Sequence, residues 1–470
     1  MIWVILVLGT ILRLISLNQS LWLDEAINVM AANSYSFFEM ITQYAIADFH
    51  PPGWFIILWL WGKLFGYSEI AVRLPSVIFG VLTIYSVYLI GKKIVSQKLG
   101  LMAALLFAIN PLHIYYSQEA RMYALATLAV SINFFLFIKV IKKEKVNMIF
   151  LIFANLLVLS SDYVAYFIFP AQLAFLLLIR KKALVKKWLM ALIIAVLIGI
   201  WWLPIFFAQL DVGAVAAANL PTWKFVAGSF DFKTLPLTFV KFIIGRISLA
   251  DKIIYGAIML PVCTLFAYLL YRGIKSLNNL HRKLLFSWII IPLSLATVIS
   301  LVIPVYNYFR VLFVLPAFII LIALGIFSFK FKLKYAFLAA VLVIQIFSSL
   351  VYLFNPLFQR DDWKELVNFL STKNEPVLFE SSGTLPPFNY YAKGEIDARG
   401  ALKDFPAKDL SDVADLENIL QGEKQVYLVE YLVDISDPQR LIQKQLTQLN
   451  FKETEINNFH GVGFVYHYKR

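Results

Sequence analysis

Apolar stretches long enough to cross a hydrocarbon core of about 30 Å recur along the chain from residue 1 to residue 354. Within lipid every backbone polar group must find its partner inside the protein, so stretches of this kind read as helices. With 60% hydrophobic residues and a mean hydropathy of +0.75, the chain carries more apolar surface than a soluble protein of 470 residues can bury. The expected fold class is an all-α polytopic membrane protein of about eleven transmembrane helices with additional interfacial helices.

The formal charge of +13 would suit a nucleic-acid partner, but the placement of the lysines and arginines argues against one. They gather in alternate loops: Lys92, Lys93 and Lys98; Lys139, Lys142, Lys143 and Lys145; Arg180, Lys181, Lys182, Lys186 and Lys187; Arg272, Lys275, Arg282 and Lys283; Lys330, Lys332 and Lys334. Glu144 is the only acid among them. By the positive-inside rule these five loops face the cytoplasm. The first span, 1–17, then runs outward, and 18–72 form a long external loop. Further spans are expected near 73–91, 99–116, 122–139, 147–161, 163–179 and 188–207. After a second external stretch, 208–250, four more follow near 252–271, 284–303, 310–328 and 335–353. The chain reads as a multi-pass plasma-membrane protein. Met1 to Leu17 lacks a basic n-region and a small-residue cleavage motif, so it reads as an anchor rather than a leader.

Trp54 to Gly66 is apolar but only 13 residues long and follows His50-Pro51-Pro52. A crossing there would move every later basic loop to the other side, so it reads as an interfacial or re-entrant helix. Residues 25–45 read as a second interfacial helix. Composition changes at Asn355-Pro356, beyond which 18 Asp and Glu stand against 13 Lys and Arg with no spanning stretch. Helical periodicity over Asp361–Leu370 and Pro438–Leu449, and strand-like runs at Pro376–Glu380, Gln425–Tyr431 and Gly463–Tyr468, indicate a small α/β domain. The expected division is therefore a membrane domain over 1–354 and an extracytoplasmic domain over 355–470. Cys263 is the single cysteine, which excludes a disulfide framework and a cysteine-based zinc site.

In this topology the polar residues collect at the outer interface. Asp24 and Glu25 end the first span, His50 precedes the short helix, and Glu69 and Arg73 open the second span. Tyr115-Tyr-Ser-Gln-Glu119-Ala-Arg121-Met-Tyr123 fills the next outer turn, and Arg310 begins a later span. A carboxylate or arginine at a span end is ordinarily a solvated boundary residue. Two adjacent carboxylates repel each other, however, and a boundary needs neither. A transporter would place ionisable groups near the bilayer midplane, and the span centres carry almost none. No Gly-rich phosphate loop and no Asp-x-Asp motif is present. An activated substrate available outside the cell would be lipid-carried, such as a polyprenyl-phosphate sugar. Its phosphate would need a cation such as Arg310, Arg121 or Lys241, and the acceptor hydroxyl would need a carboxylate base.

At these residues the chain resembles the GT-C-fold membrane glycosyltransferases of glycosyltransferase family 39. That class includes dolichyl-phosphate-mannose–protein mannosyltransferases and aminoarabinose transferases. The resemblance rests on Leu21-Trp-Leu-Asp24-Glu25, His50-Pro-Pro, Arg73-Leu-Pro-Ser76 and Ser117-Gln-Glu119-Ala-Arg121-Met-Tyr123, with Arg310 later in the chain. It implies inverting transfer of a sugar from a polyprenyl-phosphate donor to an extracytoplasmic protein, lipid or glycan. Asp24 would be the general base, with Glu25 and Glu119 completing the catalytic set as site acids that hold the acceptor or a divalent cation. His50, Arg73, Arg121, Tyr123 and Arg310 would bind substrate. Members of the group differ in whether they need a divalent cation; Asp24 and Glu119 would be its ligands here. A flippase for lipid-linked saccharides and a binding protein acting through its external domain are the alternative readings.

Overall fold

The computed structural model describes residues 1–219, 228, 231–404 and 406–470. Helices stand at all eleven expected span positions. Six are long and apolar enough to cross a membrane: Glu69–Ile94, Tyr123–Ile141, Ala183–Val215, Lys252–Ser276, Asn279–Ile299 and Phe331–Phe354. Four more, Ile2–Leu14, Met148–Ser161, Val164–Leu178 and Leu312–Phe327, are shorter. The chain is a multi-pass membrane protein. Residues 220–227, 229 and 230 of the expected outer stretch 208–250 lie outside the described residues.

The expected span 99–116 is a bent pair, Gln97–Ala108 and Pro111–Ser117, meeting at 64°. Pro111 has no N–H to continue the first helix, and the Asn110 side chain caps the second by accepting from the His113 N–H. The bend frees carbonyls that lipid cannot satisfy. Arg13 fills the gap: its Nη1 donates to Ala108 O at 3.0 Å and Gly9 O at 2.9 Å. Its Nε reaches Ser117 Oγ at 3.1 Å, and its Nη2 lies 2.8 Å from His113 Nδ1. This fully buried arginine in the first helix is a hydrogen-bonding brace for the kink.

Close helix approach depends on small residues, as it must where surrounding lipid is as apolar as leucine. Gly273 and Gly325 let Lys252–Ser276 and Leu312–Phe327 meet at backbone distance. A Cβ on Gly325 would lie 2.1 Å from Leu269 O, and one on Gly273 2.2 Å from Leu321 O. Gly325→Val is expected to lower stability by about 1–3 kcal/mol through this overpacking. Thermal unfolding in detergent would show it as a reduced midpoint.

The expected interfacial helix at 25–45 is broken. Leu23–Ser34 stops at Tyr35, and Ser36 starts a new turn by accepting from the Glu39 N–H while Glu39 accepts from the Ser36 N–H. Short helical turns then run to Asp48, and Phe49 in the left-handed region redirects the chain into His50-Pro51-Pro52 and the helix Gly53–Phe65.

After residue 355 the chain forms a five-stranded sheet of β1 (Val377–Phe379), β2 (Ala398–Gly400), β3 (Gln425–Val429), β4 (Lys452–Phe459) and β5 (Gly463–Lys469), in the order β2-β1-β3-β5-β4. The β1 pairings with β2 and β3 are parallel; β5 pairs antiparallel with β3 and β4. Alternate side chains feed two apolar cores: Trp363, Phe379 and Phe388 on one face, Leu378, Leu428 and Leu446 on the other. Helices cover the sheet at Trp363–Leu370 and Leu441–Gln448. Sequence patterning missed β2, which is three residues long, and β4. Strand β4 is an edge strand whose side chains are mostly exposed, so it lacks the apolar alternation of a half-buried strand.

Candidate active site

The helix Leu23–Ser34 separates its two leading carboxylates. Consecutive helical residues point about 100° apart, so Glu25 turns inward and Asp24 does not. Glu25 is fully buried and meets the Arg73 guanidinium as a fork, Nε–Oε1 at 2.9 Å and Nη2–Oε2 at 2.5 Å. It also accepts from the Ala120 N–H at 2.7 Å. The remaining Arg73 donors go to the carbonyls of Leu17, Gln19 and Ser20. Burial alone would raise the Glu25 carboxyl, but Arg73 outweighs it and holds the group below the usual carboxylate range. All five guanidinium N–H groups of Arg73 are engaged, so this pair is a clamp that fixes the start of the helix on the 120-region turn.

Asp24 has different surroundings. Its side chain is 37% exposed, and its nearest cation, Arg121, is 3.6 Å away. The protein mass around it raises its carboxyl above the ordinary range, with Asp48 adding to the rise; Arg121, His50 and Arg310 oppose it. Arg121 is buried and directed chiefly at Asp48, at 2.9 Å. Asp48 also accepts from Asn28 Nδ2 at 2.8 Å and the Tyr44 hydroxyl at 3.1 Å, and lies 2.5 Å from His50 Nδ1. Burial pushes Asp48 up, but Arg121 and His50 prevail and keep it ionised well below the usual range. His50 is thus turned onto Asp48, and its carbonyl accepts from Gln209 Nε2 at 3.0 Å.

Glu119 pairs with Arg360 at 2.7 Å, while its second oxygen is buried without a hydrogen-bond partner among the described residues. Tyr123 is buried, with its ring 5.2 Å from Tyr116 and 5.1 Å from Phe309. Arg310 is half-buried beside Asp24, and its Nε has no hydrogen-bond partner among the described residues. Lys241 is not a free cation: its ammonium donates to the carbonyls of Arg246 and Ile247.

The structure therefore gathers His50, Arg121, Tyr123 and Arg310 around Asp24, whose side chain is partly exposed. Glu25 with Arg73, and Glu119 with Arg360, are closed ion pairs behind it. Three residues went unnoticed in the sequence. Asp48 stands two positions before His50, a spacing that offered a signal. Arg246 follows Gly245 in the 208–250 stretch; it is exposed, stacks 4.6 Å from the Tyr115 ring centroid and donates to the Tyr115 hydroxyl. Arg360 lies 241 positions from its partner Glu119, and no local pattern marks it.

A resident divalent cation does not suit these residues. Among the described residues no three His, Cys, Asp or Glu side chains gather as a ligand set. Asp48 and Glu119 already neutralise arginines, which an ion would have to displace.

Residues 49–203 match the family model for dolichyl-phosphate-mannose-protein mannosyltransferases. Over 191 residues the chain is 28% identical to an uncharacterised protein of Aquifex aeolicus (strain VF5). That match spans 39% of this chain and 38% of the length of that relative. The fold is similar to that of ArnT from Cupriavidus metallidurans in the apo state, at a TM-score of 0.60 and 11% identity over 99% of this chain and 97% of that one. The same protein bound to undecaprenyl phosphate matches at 0.59 with 12% identity over the same shares. The archaeal oligosaccharyltransferase AglB from Archaeoglobus fulgidus, in complex with an inhibitory peptide and a dolichol-phosphate, matches at 0.52 and 13% identity over 99% of this chain and 74% of that one. With a shared architecture over nearly its whole length and a family match over residues 49–203, the chain is a membrane protein of the GT-C fold, as its sequence motifs imply.

Proposed function

We propose that the chain transfers a sugar from a polyprenyl-phosphate carrier to a hydroxyl acceptor on the extracytoplasmic side of the plasma membrane, with inversion at the anomeric carbon. One observation carries the reading. Of the four carboxylates at the site, Glu25, Asp48 and Glu119 have side chains at most 9% exposed and paired with cations, whereas Asp24 is open. An accessible carboxylate beside fixed positive charge suits a general base next to an anionic leaving group.

In the proposed step Asp24 takes the acceptor hydroxyl proton as that oxygen attacks the anomeric carbon. The bond from that carbon to the phosphate oxygen breaks, and its electron pair leaves with the polyprenyl phosphate. Arg310 and exposed Arg246 are the cations available to the phosphate. Charge grows there as the bond breaks, so they stabilise the transition state more than the ground state. Arg121 is held by Asp48 and orients Asp24.

Purified protein incubated with radiolabelled polyprenyl-phosphate sugars and membrane extract is expected to yield a labelled glycoside and an equal amount of free polyprenyl phosphate. Labelled lipid that crosses vesicle bilayers, with no new glycosidic bond and no phosphate lipid released, would replace this reading with a flippase. The pH dependence follows from the Asp24 environment. The base acts only when ionised, and the protein mass around it raises its carboxyl, so activity is expected to fall with decreasing pH at a value above that of an ordinary carboxylate. Asp24 faces Arg121, Asp48, His50 and Arg310. Removing Arg121 or Arg310 should move this acid limb to still higher pH in a pH–rate profile.

A further inference from the structure

We propose that Arg360, in the segment entering the C-terminal sheet domain, is a positioning residue that aims the phosphate-binding cation Arg246 through the ring of Tyr115. The inference rests on the polyprenyl-phosphate reading above and assigns the sheet domain a part in building the site.

Arg360 is buried, and its guanidinium lies 3.8 Å from the Tyr115 ring centroid. Its Nη2 donates to Tyr115 O at 3.3 Å, its Nη1 pairs with Glu119 at 2.7 Å, and its backbone N–H donates to Gln19 Oε1 at 3.0 Å. Tyr115 is wedged between Tyr116 and Tyr352, with ring centroids 5.0 Å away in each case. Arg246 stacks on the same ring and donates to its hydroxyl. A long arginine on an exposed loop would otherwise sample many rotamers. A cation–π contact and a hydrogen bond to an immobile ring remove that freedom before the ligand arrives. Two guanidinium groups on one ring repel each other, and Glu119 offsets the charge of the inner one.

The sheet domain sets where Arg360 sits. Asp361 accepts from the Tyr431 hydroxyl at 3.1 Å, at the end of β3, and the Asp362 N–H donates to His460 O at 2.8 Å, in the β4–β5 turn. Gly461, at φ +74°, lies so close that a Cβ would come within 2.4 Å of Asp361 Oδ1. The segment is held on the domain side by this turn and on the membrane side by Gln19, Tyr115 and Glu119. No other described residue of the sheet domain forms an ion pair with Glu119.

The test uses the full chain in detergent and measures binding of undecaprenyl phosphate to wild type, Arg246→Ala, Arg360→Ala and the double variant. Each single change is expected to weaken binding about tenfold, equivalent to about 1.4 kcal/mol. The double variant should bind within about twofold of Arg246→Ala, because Arg360 acts only through Arg246. Wild-type affinity in Arg360→Ala, or losses that multiply in the double variant, would overturn the inference. Two milder variants guard against misfolding. Tyr115→Phe keeps the Arg360 stack but removes the hydroxyl that Arg246 donates to, and should weaken binding in the same direction. Arg360→Lys keeps the charge without the planar stack and should recover only part of the affinity; full wild-type binding in both would also overturn the inference. A wild-type chain that binds the lipid without transferring sugar would sink the function above and leave this series decisive for the positioning role. A wild-type chain that does not bind it would overturn both.

Discussion

Asp24→Asn is expected to lower sugar transfer about 10²–10⁴-fold, the range by which a positioned proton acceptor accelerates a reaction. The substitution preserves size and polarity and removes only the ability to take the acceptor proton. Its structural effect is small because Asp24 is partly open and its contact with Arg121 is long, at 3.6 Å. The unfolding midpoint should therefore stay near that of the wild type while the rate collapses, with the donor concentration for half-maximal rate little changed. An undiminished rate would remove Asp24 from the chemistry. Asp48→Asn offers an informative contrast. Asp48 holds Arg121 and His50 without being open itself, so its loss should disturb how Asp24 is placed and leave a larger residual rate.

Arg73→Met is expected to destabilise the protein by about 3–5 kcal/mol, the range observed when one partner of a buried ion pair is removed. Glu25 would remain in the interior with only the Ala120 N–H and its own helix start as donors, and three carbonyls of the 17–20 segment would lose theirs. Because the folded-state carboxyl of Glu25 lies below its usual range, the pair stabilises the protein above the ordinary carboxylate pKa. That contribution is lost as pH falls through the depressed value. Arg73→Met should lower the midpoint and reverse this acid-side dependence, because burial unopposed by Arg73 raises the Glu25 carboxyl and its protonation at low pH then relieves the loss. The Glu25→Gln, Arg73→Met double variant should recover part of the loss, since the uncompensated charge is then gone. Denaturant titration in detergent across pH 3 to 7 would measure both (a range set by the roughly pH 4 titration of free glutamate). A single variant as stable as the wild type would contradict the clamp assigned to this pair.

The helices were readable because the constraint that produces them is local. A lipid-exposed segment must satisfy its own backbone, so about twenty apolar residues announce a helix wherever they occur. The same logic explains where patterning blurred. The 64° break at Asn110-Pro111 is visible as a proline, but its tolerance depends on Arg13, about a hundred positions earlier in the chain. Strand β4 was missed because its side chains are mostly exposed, and its strand character comes from pairing with β5.

At the site, the acidic pair at 24 and 25, the arginines at 73 and 121 and the acid at 119 were recognisable as types of chemistry gathered at one interface. Which acid meets which base was not. Glu25 found Arg73, Asp24 remained open, and Glu119 took its partner from the sheet domain. Ion-pair choice depends on distances of a few ångströms between segments tens to hundreds of residues apart, and no local pattern encodes them. The sequence by itself determined that this chain spans a membrane as a helical bundle and carries a polar cluster bounded by short motifs. Only the tertiary structure decided which carboxylate stays open and which are locked away. Burial and pairing are properties of the packed neighbourhood, and the same side chain becomes a base or a clamp according to the neighbourhood it enters.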